Sequence, residues 1–483
     1  MTIEIKDNIF REYDIRGKYP GELSKDVARC LASAYAKLLK EKSKKDPLTV
    51  TIGRDVRTSS TEIKDVLATT LSNAGINVID IGECPTPLQY FSLFTLDADG
   101  GIMITGSHNP PEYNGFKISV GKETIHGKEI QAFKEMVKAA AKETPAAAAT
   151  KGKVSTINII EKYTAFHVEK FGPILKSLGL KKPLKIVVDA GNGTGGLVAP
   201  KLLEKLGIEV TSLFCEPDGT FPNHHPDPTV PENLEHLITE VKKQGADFGI
   251  GYDGDSDRIG VVDEKGAIVW GDQLMIIYAK DILKTTKNAT IVGEVKCSQV
   301  MYDEIRKSGG NAVMWKTGHS LIKSKMKELK ASMAGEMSGH IFFADRYFGF
   351  DDAVYASCRI AEIFAKLKAE NPSAVFSDLL KGLPKTFVTP EYRVDCPDSE
   401  KFGVIEKIKA GLKNDPPKDL SIREIIDIDG LRIIFDNGWA LMRASNTQPV
   451  LVLRYEATDE ASIEKFKGFV RARIKQAWSG FKG

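Results

Sequence analysis

Three stretches of this chain follow one plan: "LTVTIGRDVRTSSTEIKDVLATTLSNAGINVIDIG" from Leu48, "LKIVVDAGNGTGGLVAPKLLEKLGIEVTSLF" from Leu184, and "ATIVGEVKCSQVMYDEIRKSGGNAVMWKTGHS" from Ala289. Each passes from an apolar strand through a polar loop into an amphipathic helix, then past a glycine into a second strand. The glycines expected to end the helices are Gly75, Gly207 and Gly310. Strand, crossover helix and strand make a βαβ unit. At 483 residues the chain is too long for one ordinary core, so three copies predict three similar α/β domains rather than one large sheet.

The texture changes after about residue 383. There "SIREIIDIDGLRIIFDNGWALMRASNTQPVLVLRYEA" alternates with period two, and its Asp429-Gly430 and Asn437-Gly438 pairs signal antiparallel hairpins. A C-terminal α+β domain with a mainly antiparallel sheet follows. The expected segments are 1–152, 153–266, 267–382 and 383–483, with the Ala/Lys-rich "KETPAAAATKGKVS" as a tether between the first two.

The 67 basic and 65 acidic residues leave a net charge of +2, so no long-range field points to nucleic acid or an anionic membrane. Six scattered cysteines without CxxC spacing read as reduced thiols, and the N-terminus lacks the basic start of a signal peptide. These features predict a cytoplasmic protein with no membrane partner.

Four loops carry chemistry. "TGSHNPPEYNGFK", Thr105–Lys117, follows the strand-like "GGIMI". His108, next to Ser107, is expected to point away from it, as successive side chains do on extended backbone, and GxSxG is absent, so a hydrolase triad is disfavoured. "DGDSDR" sets Asp253, Asp255 and Asp257 at alternate positions, where carboxylates on extended backbone converge on one hard cation such as Mg²⁺. It is also a plain acidic turn; an EF-hand is excluded by Arg258 where that loop needs glycine. "GEMSGH" supplies Glu336, Ser338 and His340, and "RASNTQP" groups Arg443, Ser445, Asn446 and Thr447 as donors suited to a phosphate dianion, though the first is equally a glycine-bounded turn and the second a polar hairpin turn. "GNGTGG" at Gly191–Gly196 fits the dinucleotide fingerprint, with Glu216 as ribose partner, and keeps a nicotinamide oxidoreductase as a rival.

Together, in this order, the four motifs make the chain similar along its length to the α-D-phosphohexomutases, of the bacterial phosphomannomutase/phosphoglucomutase type. The resemblance implies three α/β domains and a smaller fourth around a central cleft. It implies phosphate carried on Ser107 and Mg²⁺ bound by that phosphate with Asp253, Asp255 and Asp257. It also implies reacting-centre roles for Arg16, Lys117 and His319, sugar contacts by Glu336 and Ser338 with His340 nearby, further contacts by Tyr13 and Lys296, and a phosphate anchor at Arg443, Ser445, Asn446 and Thr447.

The residues agree with that chemistry. Moving phosphate between two oxygens of one sugar without losing it to water favours a stored phosphoryl group. Three aspartates and a phosphoserine need a divalent cation and basic neighbours, for which Arg258 and Lys117 stand nearest in sequence. Lys117 and His319 have ordinary readings too, as a solvated surface lysine and a helix cap. The expected reaction moves phosphate between C1 and C6 of glucose and mannose phosphates through a hexose 1,6-bisphosphate, which also serves as activator. Recognition at C3 and C4 leaves C2 unread, so both sugars are expected to react and a galactose phosphate to be rejected. The nearer alternative is a phosphoglucosamine mutase, whose phosphate loop usually has glycine and glutamate where this chain has Asn446 and Gln448. A monomer or weak oligomer is expected, with closure of the fourth domain over substrate. "DGTFPNHHPDP", with His224 and His225, receives no role.

Overall fold

The structure is a computed structural model describing residues 3–143, 148–415, 417, 419–446 and 448–481. Four sheets follow one another along the chain. In the first, strands Gly100–Ile104, Thr49–Arg54 and Asn77–Glu83 lie parallel, and Tyr113–Val120 runs antiparallel to Gly100–Ile104. Val154–Thr156 adds a parallel edge to Asn77–Glu83, so this sheet takes in residues beyond 152. Part of the tether, residues 144–147, lies outside the described residues.

The second sheet places Phe248–Tyr252 and Glu209–Leu213 parallel to Lys185–Asp189, with Ile259–Asp263 antiparallel at one side. The third places Asn311–Trp315 and Met333–Gly335 parallel to Thr290–Glu294, with Ile341–Phe343 antiparallel. The repeat is therefore real, and each copy ends in the same way: a parallel strand turns into an antiparallel one, and a chemical loop fills the turn. The fourth sheet is antiparallel throughout, and its strands Gly438–Ala444 and Val450–Ala457 flank the "RASNTQP" loop.

Helix ends follow the sequence closely. Gly75 and Gly207 adopt φ of 84° and 83°, but in the third repeat Gly309, at 83°, takes the left-handed position expected of Gly310. The helix Gln299–Lys307 ends one residue early for that reading, with Ser308 as its cap.

Burial divides the molecule unevenly. One apolar cluster runs from Leu88 and Phe91 in the first layer through Tyr163 and Leu202 to Ile291 and Phe364, welding the first three units together. The fourth has its own core around Leu431, Leu453 and Phe466. It meets the third through a small cluster of Val295, Trp439 and Leu441, and through buried polar contacts such as Arg432 Nη1 donating to the Cys297 carbonyl at 2.7 Å. Among the described residues no helix is long and apolar enough to cross a membrane.

Candidate active site

The serine loop is wrapped around one guanidinium. Arg57, fully buried, uses all five N–H groups: Nε donates to Asp55 Oδ2 (3.0 Å), Nη1 to the carbonyls of Pro110 (2.6 Å) and Tyr113 (3.0 Å), and Nη2 to those of Ser107 (2.8 Å) and Asn109 (2.6 Å). Asp55 in turn accepts from Gly106 N at 3.0 Å. This clamp holds Ser107 in the left-handed region, φ 49°, a conformation a serine adopts only when its surroundings impose it.

That twist corrects the reading of His108. On extended backbone the ring would point away, but with Ser107 left-handed the Ser107 Oγ lies 3.1 Å from His108 Nδ1. Burial, with Arg258 and Arg16 nearby, holds the His108 pKa well below the usual imidazole range. The same Oγ donates to Asp253 Oδ2 at 3.0 Å.

Asp253, Asp255 and Asp257 converge, though not by strand alternation. The strand stops at Tyr252, and the loop turns through Ser256 at φ 58°. Their ligand oxygens lie within 4.8 Å of one another, all buried. Asp253 Oδ1 accepts from the backbone of Asp257 (3.1 Å) and Arg258 (3.2 Å). Asp255 Oδ2 accepts from Thr86 Oγ1 at 2.6 Å. Gly254 passes so close to the serine loop that a Cβ there would stand 2.5 Å from the Ser107 carbonyl oxygen.

Lys117 is no surface lysine. It is 2% exposed and bonds Asp255 Oδ2 at 2.9 Å and Asp257 Oδ2. Burial disfavours its charge, but the two carboxylates outweigh that and hold its pKa well above the ordinary value. One ammonium does not balance three carboxylates: burial and the two neighbouring acids push Asp253 well up. Asp255 Oδ1 and Asp257 Oδ1 are buried and receive no hydrogen bond. Two orphaned oxygens in an all-oxygen cluster fit a hard divalent cation.

The third loop abuts the second. Arg258 and His340 form an antiparallel bridge, and Gly339, φ 92°, lies where a Cβ would meet the Ile259 carbonyl at 2.3 Å. His340 Nε2 is 3.3 Å from Asp257 Oδ1, and its Nδ1 is 2.9 Å from Glu336 Oε2 and 3.2 Å from Ser338 Oγ. Against burial, Asp257 and Glu336 hold the His340 pKa up to about 9. Glu336 also accepts from Gly318 N (2.7 Å), beside His319, which opens the helix His319–Leu329 as its first residue rather than as its cap.

The remaining residues tie these loops to the first and fourth units. Tyr13 OH donates to the Thr317 carbonyl (2.8 Å) and accepts from Asn446 Nδ2 (2.9 Å). Arg443 donates through Nε to Asp429 Oδ2 (3.0 Å), which also takes Thr317 N (3.0 Å). Ser445 Oγ accepts from Gln448 N at 3.2 Å, and Thr447 lies outside the described residues. Lys296 pairs with Glu391 at 2.8 Å, and Arg16 donates to Asp14 Oδ2 (2.7 Å) and Asn109 Oδ1 (2.6 Å).

Sequence reasoning missed Arg57, Asp55, Thr86 and Asp429. The first two stand together in "GRDVR", but their partners are mostly backbone atoms some fifty residues away, which leave no mark on the sequence. The fingerprint "GNGTGG" binds protein: Thr194 N donates to the Gly254 carbonyl at 3.0 Å, and Asn192 Nδ2 to the Glu216 carbonyl at 2.8 Å. His224 pairs with Asp189 at 3.1 Å.

Comparison with known proteins agrees with this arrangement. Models of the phosphoglucomutase/phosphomannomutase domains match in order: alpha/beta/alpha domain I over 7–144, II over 163–266, III over 270–386 and the C-terminal domain over 391–473. The phosphomannomutase/phosphoglucomutase of Pseudomonas putida is 43% identical over 472 residues, covering 97% of this chain and 96% of the relative. The phosphoglucomutase of Neisseria meningitidis serogroup A is 42% identical, covering 98% and 97%. A solved phosphoglucomutase/phosphomannomutase family protein from Burkholderia thailandensis superposes with a TM-score of 0.88 at 38% identity, covering 99% of each chain. With four domains matched in sequence order and the loops of all four gathered at one site, the chain belongs to the phosphoglucomutase/phosphomannomutase family, the α-D-phosphohexomutases.

Proposed function

We infer that this phosphohexomutase transfers phosphate between C1 and C6 of glucose and mannose phosphates, with Ser107 as the phosphoryl carrier. The observation that carries the reading is the position of Ser107 Oγ: 3.0 Å from Asp253, in a buried carboxylate cluster that is short of positive charge.

Asp253, Asp255 and Asp257, with an oxygen of the phosphoserine, would hold a Mg²⁺, which when bound neutralises charge on the transferring phosphoryl group. Lys117 fixes two of these carboxylates, and Arg16 and Arg258 add positive charge where the phosphoryl oxygens gather. In transfer to the sugar, its hydroxyl oxygen forms the new P–O bond while the electron pair of the old one stays on Ser107 Oγ. The product of that step is a 1,6-bisphosphate, which must reverse end for end before the other phosphate returns to serine. Glu336 and Ser338 bind the C3 and C4 hydroxyls in both orientations, and His340 orients Glu336. Arg443, Ser445, Asn446 and Thr447 anchor whichever phosphate is idle, with Tyr13 and Lys296 beside them. The separate core and largely polar seam of the fourth unit support opening for this reversal.

The decisive experiment is intact mass of the purified protein before and after glucose 1,6-bisphosphate. The parent is expected to gain a single phosphoryl group and to turn over glucose and mannose phosphates, whereas Ser107→Ala gains none and loses turnover. A Ser107→Ala variant with parental kcat overturns the reading.

A further inference from the structure

We propose that Glu391 sets how tightly the mutase holds its doubly phosphorylated intermediate: its carboxylate stands as a built-in counter-anion on Lys296, which keeps the bisphosphate loose enough to reverse end for end. The inference rests on the mutase reading of the site.

Lys296 belongs to the third unit and Glu391 to the fourth. Lys296 Nζ donates to Glu391 Oε1 at 2.8 Å and stands 3.9 Å from Glu294 Oε1, and the side chains of Lys296 and Glu391 are 11% and 18% exposed. Glu391 lies in the short bend between Phe387–Val388 and Tyr392–Asp395, two strands that both pair with Val450–Ala457. Within the bend Thr389 N donates to the Tyr455 carbonyl at 3.0 Å. From the facing strand Arg454 Nη1 donates to the Lys296 carbonyl at 2.8 Å. The fourth unit thus holds Lys296 at backbone and ammonium together, and presents its carboxylate from a backbone pinned on both sides.

Both partners are charged at neutral pH. Lys296 pulls the Glu391 pKa down to about 2 against burial, with help from Arg454 and Arg393. Burial disfavours the charge on Lys296, but Glu391 and Glu294 outweigh it and hold its pKa above the ordinary value. The other cation of this seam is in the same condition: Arg443 donates to Asp429 through Nε at 3.0 Å and through Nη2 at 3.3 Å. Each cation that the mutase reading sets beside the idle phosphate therefore carries a carboxylate of the fourth unit before any ligand arrives.

A site built for affinity alone would leave those cations unopposed. A hexose 1,6-bisphosphate carries about four negative charges, and a free ammonium and guanidinium in a buried seam would grip it in either orientation. Such uniform binding deepens the well from which the intermediate must turn, and does nothing for the chemical step. A fixed carboxylate beside each cation repels the arriving phosphate and keeps the well shallow. Glu391 is the cleaner of the two to probe, because Asp429 also accepts from Thr317 N at 3.0 Å and so has a second task. The competing role, in which Glu391 merely aims the Lys296 ammonium, predicts the opposite sign: its loss would weaken binding.

The test combines kinetics on glucose 1-phosphate with calorimetric titration of glucose 1,6-bisphosphate into the full-length protein, the titration in a Ser107→Ala background where no phosphoryl transfer intervenes. In Glu391→Gln the amide oxygen still accepts from Lys296, so the shape is kept and the charge removed. KM and kcat are both expected to fall, each about threefold to thirtyfold, which leaves kcat/KM within about threefold of the parent, and the bisphosphate binds tighter by a like factor. Lys296→Met should raise KM, and adding Glu391→Gln should recover part of that loss, because the stranded carboxylate goes with it. Glu391→Asp draws the charge back by one methylene; it should shift both constants the same way by less, and it decides the matter if the glutamine variant fails to fold. A raised KM or looser bisphosphate on removing the charge overturns the proposal, as do unchanged constants. A parent without mutase activity sinks the mutase reading instead, and the titration still reports whether Glu391 weakens bisphosphate binding.

Discussion

Arg57→Lys isolates what geometry contributes beyond charge. The guanidinium makes five hydrogen bonds, four of them to carbonyls of Ser107, Asn109, Pro110 and Tyr113. A lysine keeps the positive charge but has three N–H groups on one nitrogen, so at least two of the five acceptors lose their donor. Each abandoned buried acceptor costs about 1–3 kcal/mol, or about 2–6 kcal/mol for the pair. The loop relaxes toward solvent to limit this, which places the expected loss in the lower half of that range. Release of the left-handed Ser107 acts in the same direction, since that conformation persists only while the clamp imposes it. Hydrogen exchange read by mass spectrometry over residues 105–117 should therefore quicken at least about 30-fold, while peptides from Phe248–Tyr252 stay near parental rates. Turnover should drop with it, and Arg57→Met, lacking the charge as well, should drop further. Parental exchange over 105–117 together with parental kcat in Arg57→Lys would refute the clamp.

Two further outcomes follow from the buried charges. The pKa of His340 is raised to about 9, so its stabilising contribution is complete below about pH 6.5 and lost as pH climbs through 9. His340→Gln should therefore destabilise the protein more at pH 7 than at pH 9.5, by a difference on the order of 3 kcal/mol at most; equal losses at both pH values argue against the pairing. For Asp253, raised well above the usual carboxylate range by burial and its two acidic neighbours, the contribution of the protonated group is present at acid pH and lost as pH rises through the elevated value. Chelator-treated protein should then melt lower at pH 7 than Asp253→Asn does, and millimolar Mg²⁺ should raise the parent but not the variant; a parent indifferent to Mg²⁺ refutes it.

The layout was largely legible because periodicity reports local structure. The repeat marked three parallel cores, and the Asp-Gly and Asn-Gly turns marked the fourth sheet. The carboxylate cluster was legible because its residues are concentrated in one short run, "DGDSDR", which the fold does gather. Legibility failed wherever long-range contact overrides local preference. His108 touches Ser107 because Arg57, distant in sequence, twists the backbone between them. Lys117 reads as solvated by residue type but points inward from strand Tyr113–Val120 to carboxylates of another layer. Asp351 and Asp352 look alike in sequence, yet one faces the histidines and the other caps a helix, a division set by tertiary register alone.

All four reactive tips bend the chain back upon itself at a sheet margin, between strands whose register is fixed elsewhere. Residues can be gained or lost at such a tip without sliding any strand past its neighbour. Width is another matter, because neighbouring tips press backbone to backbone: Gly254 lies against the Ser107 carbonyl and Gly339 against that of Ile259. A change of length is thus absorbed within one sheet, whereas a change of bulk is passed on to the adjoining tip.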